Sequence, residues 1–468
     1  MEARALIGVI GDWSSGAGPL YRQLADAISD AIERGDLPPG TRLPAERSLA
    51  DALPASRGTV VSAFGLLAQS GSVLRRRGSG TTVAGESSTP RPGLAAGVRA
   101  RQLTGRVLQP GGGIQLGLSV MEDVSALPSA AFDVDRSTVA RAGGRHGYAP
   151  LGISPLRDRV AELLTARGVP TVVEEVAITL GAQHGIALAA EAVAESGATV
   201  AVEDPTYPGA IDVYSRAGLA FAAVRTDGAG PDPASLRRAL QRHGGSLVHL
   251  APQCASPTGV VTVSARREEI TNALADADAW LVEDAALEFL APPEQHGYLA
   301  ADRPERTLVV GSTSKVFWGG LRVGWLRGPR RVIERIGRIR AAHDLGSSIA
   351  PQVTALRLLD DLETIAEARR EESAARREHL RSRLIAGLPG VSIHESDGGL
   401  SLWVSVPDGD ALVRSAAKQG LDILPGRVCS VSDEQRDRVR ISAWAPLGIL
   451  DEAAERLALA WAAVGSGD

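Results

Sequence analysis

Lysine is almost absent from this sequence. Of 50 basic residues in 468, only Lys315 and Lys418 are lysines. Cysteine is as scarce. Cys254 and Cys429 are too few for a disulfide framework and fit a reducing, cytoplasmic setting. Aromatic residues make up only 4%, so aliphatic residues and alanine must fill the core that a 44% hydrophobic content allows. No apolar run approaches the ~18 residues that suggest a membrane span. The N-terminus lacks the basic start, long apolar run and small-residue cleavage site of a signal peptide. An excess of positive charge is missing too. A net charge of −5 argues against a general nucleic-acid coat and leaves DNA binding as a local property. The eight histidines show no metal-ligand spacing, so no metal is expected. The length suits two or three domains.

One of the two lysines sits in Ser312-Thr-Ser-Lys315-Val-Phe-Trp-Gly-Gly-Leu-Arg322. Its chemistry explains why arginine does not replace it. An amine sheds its proton and condenses with an aldehyde to a Schiff base; a guanidinium, charged at all working pH values, does not. Lys315 is therefore a candidate holder of a carbonyl cofactor.

The first 84 residues read as a small, mostly helical module. Leu20, Leu24, Ala27, Ile28, Ala31 and Ile32 form an apolar stripe at helical spacing. Asp36-Leu-Pro-Pro-Gly40 ends that helix, Pro44 starts a second with Glu46 in its first turn, and Pro54 stops it. Ser56 caps a third, with apolar positions at Val60, Phe64 and Leu67. A hairpin-like stretch from Val73 to Val83 follows. The order is that of a winged helix-turn-helix. From Ser56 to Ala84 there is no acidic residue, but there are four arginines, Arg57 at the start of the third helix and Arg75, Arg76 and Arg77 in the hairpin. Recognition helices place their N-terminal residues on base edges and phosphates, and wings reach the flanking backbone. Double-stranded DNA is the expected partner.

Residues 85–113, rich in proline, glycine and serine, read as a flexible linker with a reach of roughly 30 Å. From residue 114 to 468, short apolar strands alternate with helical stretches: Val176–Thr179, Thr199–Val202, Leu247–Leu250, Trp280–Val282 and Leu308–Val310. Each precedes a motif residue, the pattern of an α/β sheet that binds ligands at the carboxyl ends of its strands. Gly181-Ala182-Gln183 opens a helix whose free N–H groups suit a phosphate. Tyr207 offers a ring to stack on, Asp284 a carboxylate for a pyridine nitrogen, and Ser312, Ser314, Lys315 and Arg322 complete the set. A phosphorylated pyridine aldehyde, pyridoxal 5'-phosphate, needs these parts. Two charged stretches have plainer readings. Arg330, Arg331, Arg335, Arg338 and Arg340, on a helix opened by Pro329, read as a solvated basic face, with an auxiliary DNA contact or a subunit seam as alternatives, and Arg369–Arg383 reads as an exposed helix of mixed charge.

These motifs carry resemblances. Pro19-Leu-Tyr21, Leu37-Pro-Pro-Gly-Thr-Arg-Leu-Pro-Ala-Glu-Arg47, Ser56-Arg-Gly-Thr-Val60 and Arg77-Gly-Ser-Gly-Thr81 resemble the GntR-type DNA-binding domain over residues 19–83. The resemblance implies that Arg47, Ser56, Arg57, Thr59 and Gly78 touch DNA. A position often basic in relatives is Val61 here, which implies one contact fewer. Residues 145–445 resemble fold-type-I aminotransferases in His146-Gly-Tyr-Ala-Pro-Leu-Gly152, Pro257-Thr-Gly259 and Arg438-Val-Arg440. That resemblance implies a large pyridoxal-phosphate domain with a smaller C-terminal α+β subdomain, and Arg440 pairing a ligand carboxylate. A GntR-type domain linked to this fold resembles the MocR subfamily of transcription regulators. It implies a homodimer with exchanged DNA-binding domains and an amine or amino-acid effector. Departures fall at Ser256, where aminotransferases have asparagine, at Cys254 and Ala255, where MocR relatives often have histidine and glutamine, and at Ala286, where a tyrosine usually meets the cofactor's phenolic oxygen. They favour a cytoplasmic sensor over an efficient catalyst. An active aminotransferase with an accessory DNA-binding domain is the alternative, and a cofactor-free scaffold a third reading.

Overall fold

The computed structural model describes residues 3–11, 13–14, 19–33, 36–37, 40–53, 55–69, 73–76, 80–83, 113–121, 124–144, 146–243, 247–295, 297–432 and 434–465. The chain divides into two units, Met1–Ala95 and Ala96–Asp468. The expected linker, apart from Gly113, lies outside the described residues.

In the first unit α1 (Ala3–Ile10), α2 (Leu20–Glu33), α3 (Glu46–Ala52) and α4 (Arg57–Gln69) precede the hairpin β1 (Val73–Arg76) and β2 (Gly80–Val83). Leu6, Leu24, Ile28, Leu49, Val60 and Phe64 meet in its core with no exposed surface. Ser56 caps α4 as expected, its Oγ accepting the Thr59 N–H at 3.1 Å. Two expectations need correction. Helix α3 starts at Glu46, because Leu43 donates its N–H to the Thr81 carbonyl and holds the chain extended through Pro44. Leu20 is 43% exposed, so the buried stripe of α2 begins at Leu24. The sequence reading passed over α1, whose Leu6 and Ile10 enter the same core.

The second unit is built on an eight-stranded sheet in the order β4-β11-β10-β9-β8-β5-β6-β7. The strands are β4 (Val176–Thr179), β5 (Thr199–Asp204), β6 (Ala220–Asp227), β7 (Gly230–Pro231), β8 (Leu247–Leu250), β9 (Trp280–Asp284), β10 (Thr307–Ser312) and β11 (Gly324–Arg327). β10, β9, β8, β5 and β6 pair parallel, and β4 shares their direction because both it and β10 run antiparallel to β11. The carboxyl ends of β4, β5, β8, β9 and β10 therefore open on one edge.

Strand alternation sorts the core. Ala177, Val200, Val202, Leu247, Val282, Leu308 and Val310 face helices Ala182–Val193 and Arg330–His343. Val176, Ile178 and Val309 face helices Ser154–Ala166 and Ile349–Leu358. Ala201, Val248 and Leu281 face helices Pro233–His243 and Ser264–Asp276.

The C-terminal part of the unit carries an antiparallel sheet ordered β12 (Ser392–Ile393), β13 (Ser401–Ser405), β16 (Arg438–Ser442), β15 (Leu424–Pro425). Leu380 and Leu384 of helix Leu362–Gly387, Leu412 of helix Gly409–Lys418 and Leu457 of helix Leu447–Gly465 pack on its Leu402, Val404, Val439 and Ile441. This is the expected α+β subdomain. β3 (Ile114–Gln115) pairs in parallel with β14 (Leu421–Asp422), tying the start of the unit to this subdomain. A side chain at Gly113 would meet the Gly420 carbonyl, so glycine is needed for that approach.

Two charged helices are less solvated than their sequences suggest. Arg340 has no exposed surface; it pairs with Asp344 at 3.0 Å and donates to the Ile178 carbonyl. Arg369 is buried against Trp444, and Arg377 is buried and donates to the Gly399 carbonyl. Ser154 does not cap its helix; Ile153 holds that position without a side-chain bond.

Candidate cofactor site and candidate nucleic-acid interface

One cavity of about 810 Å³ opens at the carboxyl edge of the large sheet. Ala182, Gln183, Tyr207, Asp284, Ser312, Ser314, Lys315, Arg322 and Arg440 line it. Gly181 is not among the lining residues; it precedes them as the N-cap of helix Ala182–Val193, with φ of +87°. That backbone conformation favours glycine. No side chain caps this helix, so its first N–H groups point to the cavity as an anion cradle. Ser312 Oγ and Ser314 Oγ lie 3.1 Å apart beside it, and Arg322 donates to the Leu180 carbonyl.

Lys315 follows β10 on a turn fixed by Thr313, whose N–H and hydroxyl both donate to the Val323 carbonyl. Its Nζ donates to the Ser119 carbonyl. Burial, then the charge of Arg440, pulls its pKa down to about 8. Asp284 closes β9; its Oδ1 accepts the Ala286 N–H at 2.9 Å. Burial pushes its pKa up to about 6, against the pull of that N–H and of Lys315. Tyr207 caps the helix Pro208–Arg216, and burial raises its hydroxyl pKa. Arg440, 5% exposed, sits on β16 and donates to the Gly117 carbonyl at 2.7 Å. It is not an exposed strand arginine.

The donor set fits a phosphorylated pyridine aldehyde. The cradle takes a phosphate, Tyr207 offers a ring face, Asp284 an acceptor and Lys315 an amine whose neutral form is reached near neutral pH. At the positions where the resemblance expects an asparagine and a tyrosine, the cavity is lined by Ser256 and Ala286.

Sequence reasoning missed several residues here. His249 lines the cavity from β8, 1% exposed, and Tyr214 Oη lies 3.2 Å from its Nδ1. Its Nε2 stands 3.9 Å from Asp284 Oδ2 and makes no hydrogen bond. Burial lowers its pKa to about 4, so the imidazole is neutral and the contact is not an ion pair. The only signal was a polar residue inside the apolar strand Leu247–Leu250. Segment 118–121 also lines the cavity, and no motif marked it. Glu203 and Glu283, 1% and 0% exposed, sit near the same strand ends, raised by burial to about 8 and about 7. Cys254 lines the wall, and burial pushes its thiol up to about 12, which makes it inert. Among the described residues no group of three or more potential ligands could hold a metal ion, and no helix is long and apolar enough to cross a membrane.

The candidate DNA-contacting residues belong to the first unit. Ser56 and Arg57 stand exposed at the N-terminal end of α4, Thr59 is half-buried one turn in, and Arg47 is exposed in the first turn of α3. Arg75 and Arg76 lie in β1, opposite Thr81 and Gly80. Arg77 and Gly78 lie outside the described residues. α3, the turn and α4 form the helix-turn-helix, and β1–β2 the wing.

Comparison with known proteins gives both parts a family. Residues 116–457 match the family Aminotransferase class I and II, and residues 20–83 match Bacterial regulatory proteins, gntR family. The chain is 26% identical to the uncharacterized HTH-type transcriptional regulator YdfD of Bacillus subtilis, covering 83% of this chain and 84% of that one. It is 29% identical to the HTH-type transcriptional regulator TauR of Rhodobacter capsulatus, covering 88% and 90%. Its fold matches the α-aminoadipate aminotransferase LysN of Thermus thermophilus with a TM-score of 0.69 at 23% identity, over 79% of this chain and 95% of that one.

Proposed function

The chain belongs to the aminotransferase class I and II family and joins to it a GntR-family domain, the MocR architecture, and from that premise we propose that it is a pyridoxal-phosphate-dependent transcription regulator sensing an amine through its aminotransferase-like unit. The observation that carries this reading is the meeting of Lys315, Asp284, the helix start Ala182–Gln183 and Arg440 in one cavity, on a chain that also has a helix-turn-helix.

Each residue has a role. The N–H groups at Gly181, Ala182 and Gln183, with Ser312, Ser314 and Arg322, hold the phosphate. Tyr207 would offer a ring to stack on, and Asp284 a carboxylate for the ring nitrogen. His249, neutral, lies beside Oδ2 of that carboxylate without a hydrogen bond to it. Lys315 is the attachment point, and Arg440 pairs bidentately with an effector carboxylate. Bound there, the cofactor would supply an aldehyde carbon for the amine of Lys315 or of an effector. The carbonyls of Gly117 and Ser119 now accept from Arg440 and Lys315. Cofactor attachment at Lys315 would replace the bond to Ser119, and an effector carboxylate on Arg440 would compete with the bond to Gly117, so occupancy changes what holds segment 117–119. That segment follows the 85–113 linker, so ligand and DNA domain share one stretch of chain. Arg47, Ser56, Arg57, Thr59, Gly78 and the Arg75–Arg77 wing read an operator.

The proposed boundaries are 1–84, 85–113 and 114–468. The working form is a cytoplasmic homodimer with exchanged DNA-binding domains. Ser256 and Ala286 leave the phenolic oxygen few partners, so turnover is weak. The second reading, an active aminotransferase with an accessory DNA domain, is favoured by the intact Lys315 and Arg440. Purified protein given pyridoxal 5'-phosphate and then each common amino acid separates them. A sensor changes its absorption band and its retention of DNA with little keto acid formed. An enzyme makes keto acid over many turnovers with DNA binding unchanged.

A further inference from the structure

The cavity narrows the effector further. Among the described residues, and beyond those assigned to the cofactor, its lining contains one cation, Arg440, and no second charged group that would meet a charged side chain. The wall on the far side is apolar. Met121, Leu400 and Leu287 belong to one packed cluster, and Leu287 also packs on Cys254. Met121, Leu400 and Cys254 are 2%, 3% and 2% exposed. Ala286, beside Asp284, ends at its Cβ and leaves the cavity open toward this wall.

The wall stands within reach of a molecule held by Arg440. Arg440 pairs with Trp403 on β13, Ser401 opens that strand two residues back, and Leu400 immediately precedes it. Two residues of strand span about 7 Å. Ser401 Oγ meets Ser119 Oγ at 2.5 Å, which brings Leu118, Val120 and Met121 to the same side. Two described charges near Gly399 and Val261 have partners elsewhere. Arg377 donates to the Gly399 carbonyl and Asp397 accepts the Val261 N–H, and neither lines the cavity.

Resting on the sensor reading above, we propose that the effector is an α-amino acid with one carboxylate and an uncharged, apolar side chain of about leucine or methionine size. Its carboxylate lies on Arg440, its amine at Lys315, and its side chain against Met121, Leu287 and Leu400. A second carboxylate or an ammonium there would be desolvated without a partner. An apolar side chain gains contacts at every methylene.

The test is a spectral titration of the full chain loaded with pyridoxal 5'-phosphate, using leucine, methionine, glutamate, lysine and 3-methylbutylamine. Leucine and methionine should half-saturate the change at concentrations at least about tenfold below glutamate and lysine, the low end of what one methylene does in an apolar pocket. The amine without a carboxylate should also be weaker than leucine. Leu400→Arg, checked by an unchanged starting band, should move the preference toward glutamate. Met121→Ala should weaken leucine by about tenfold while leaving glutamate where it was. Glutamate or lysine saturating first in the wild-type protein would overturn this proposal and leave the sensor reading standing. No spectral response to any amine, with the cofactor attached, would overturn both.

Discussion

At the scale of residues, the account turns on a lysine kept where arginine is the rule. Lys315 lies in a cavity that lowers its pKa to about 8, through burial first and the Arg440 charge second. A buried arginine could not be tuned this way. Two outcomes follow. Lys315→Ala should abolish the visible band and the cofactor mass adduct left by borohydride, while the wild-type chain carries the adduct on Lys315. Capture of the cofactor should speed up as pH rises through about 8, because only the neutral amine attacks. The sign in stability agrees. The folded state holds the Lys315 proton less tightly than the unfolded chain, so this group adds stability as pH climbs from about 8 toward the ordinary lysine value of 10.5. Asp284 has the opposite sign, costing stability as pH rises from 3.8 through about 6. Stopped-flow absorbance across pH measures the first effect. Arg440→Ala should move its midpoint upward, because it removes the second cause of the low pKa. An unmoved midpoint would deny that Arg440 acts on Lys315.

At the scale of elements, legibility followed locality. Helix caps, strands and turn residues are neighbours in sequence, and Ser56, Gly181, Asp284 and Lys315 were found from the residues around them. Val176–Thr179 and Leu247–Leu250 match observed strands, while β5, β9 and β10 run two residues past their apolar cores to the polar residues Asp204, Asp284 and Ser312. What was missed depends on distant partners. His249 matters because β8 lies beside β9, and segment 117–121 because β3 docks on β14. Arg340 and Arg377 looked solvated because their acceptors, the carbonyls of Ile178 and Gly399, are far away in sequence or unmarked by it. The cap at Ser56 gives an element-scale prediction. Ser56→Ala removes the 3.1 Å bond to the Thr59 N–H and should destabilise α4 by about 1 kcal/mol. Amide exchange in the first turns of α4 should then accelerate by roughly fivefold wherever it proceeds by opening of that helix. The neighbouring Arg57→Ala leaves the cap intact and should instead lose about 1–3 kcal/mol of DNA affinity with relaxed specificity. The Arg75–Arg77 wing variants should chiefly reduce the salt dependence of binding. Filter binding over a salt series separates the two.

At the scale of the whole molecule, two units with separate cores divide the work. The core around Phe64, Leu24 and Ile28 is distinct from the clusters that surround the large sheet. Phe64→Ala removes a ring with no exposed surface and should cost about 3–5 kcal/mol, enough to unfold a domain of this size. The variant should lose DNA binding and still attach the cofactor. Loss of the cofactor band as well would contradict independent cores.

The central claim is that occupancy of the Lys315 cavity sets DNA affinity. Its most direct test is one titration with two readouts. Genomic DNA fragments retained by the purified protein are labelled, and their dissociation constant is measured with pyridoxal 5'-phosphate alone and with each common amino acid added, while absorbance is followed in the same samples. A ligand shifts the equilibrium only by its differential affinity for the two states. The account predicts that one amino acid changes the DNA dissociation constant by about fivefold or more, at the concentration that changes the band, and that Lys315→Ala, still binding DNA, does not respond. A full spectral response with an unchanged dissociation constant would contradict it.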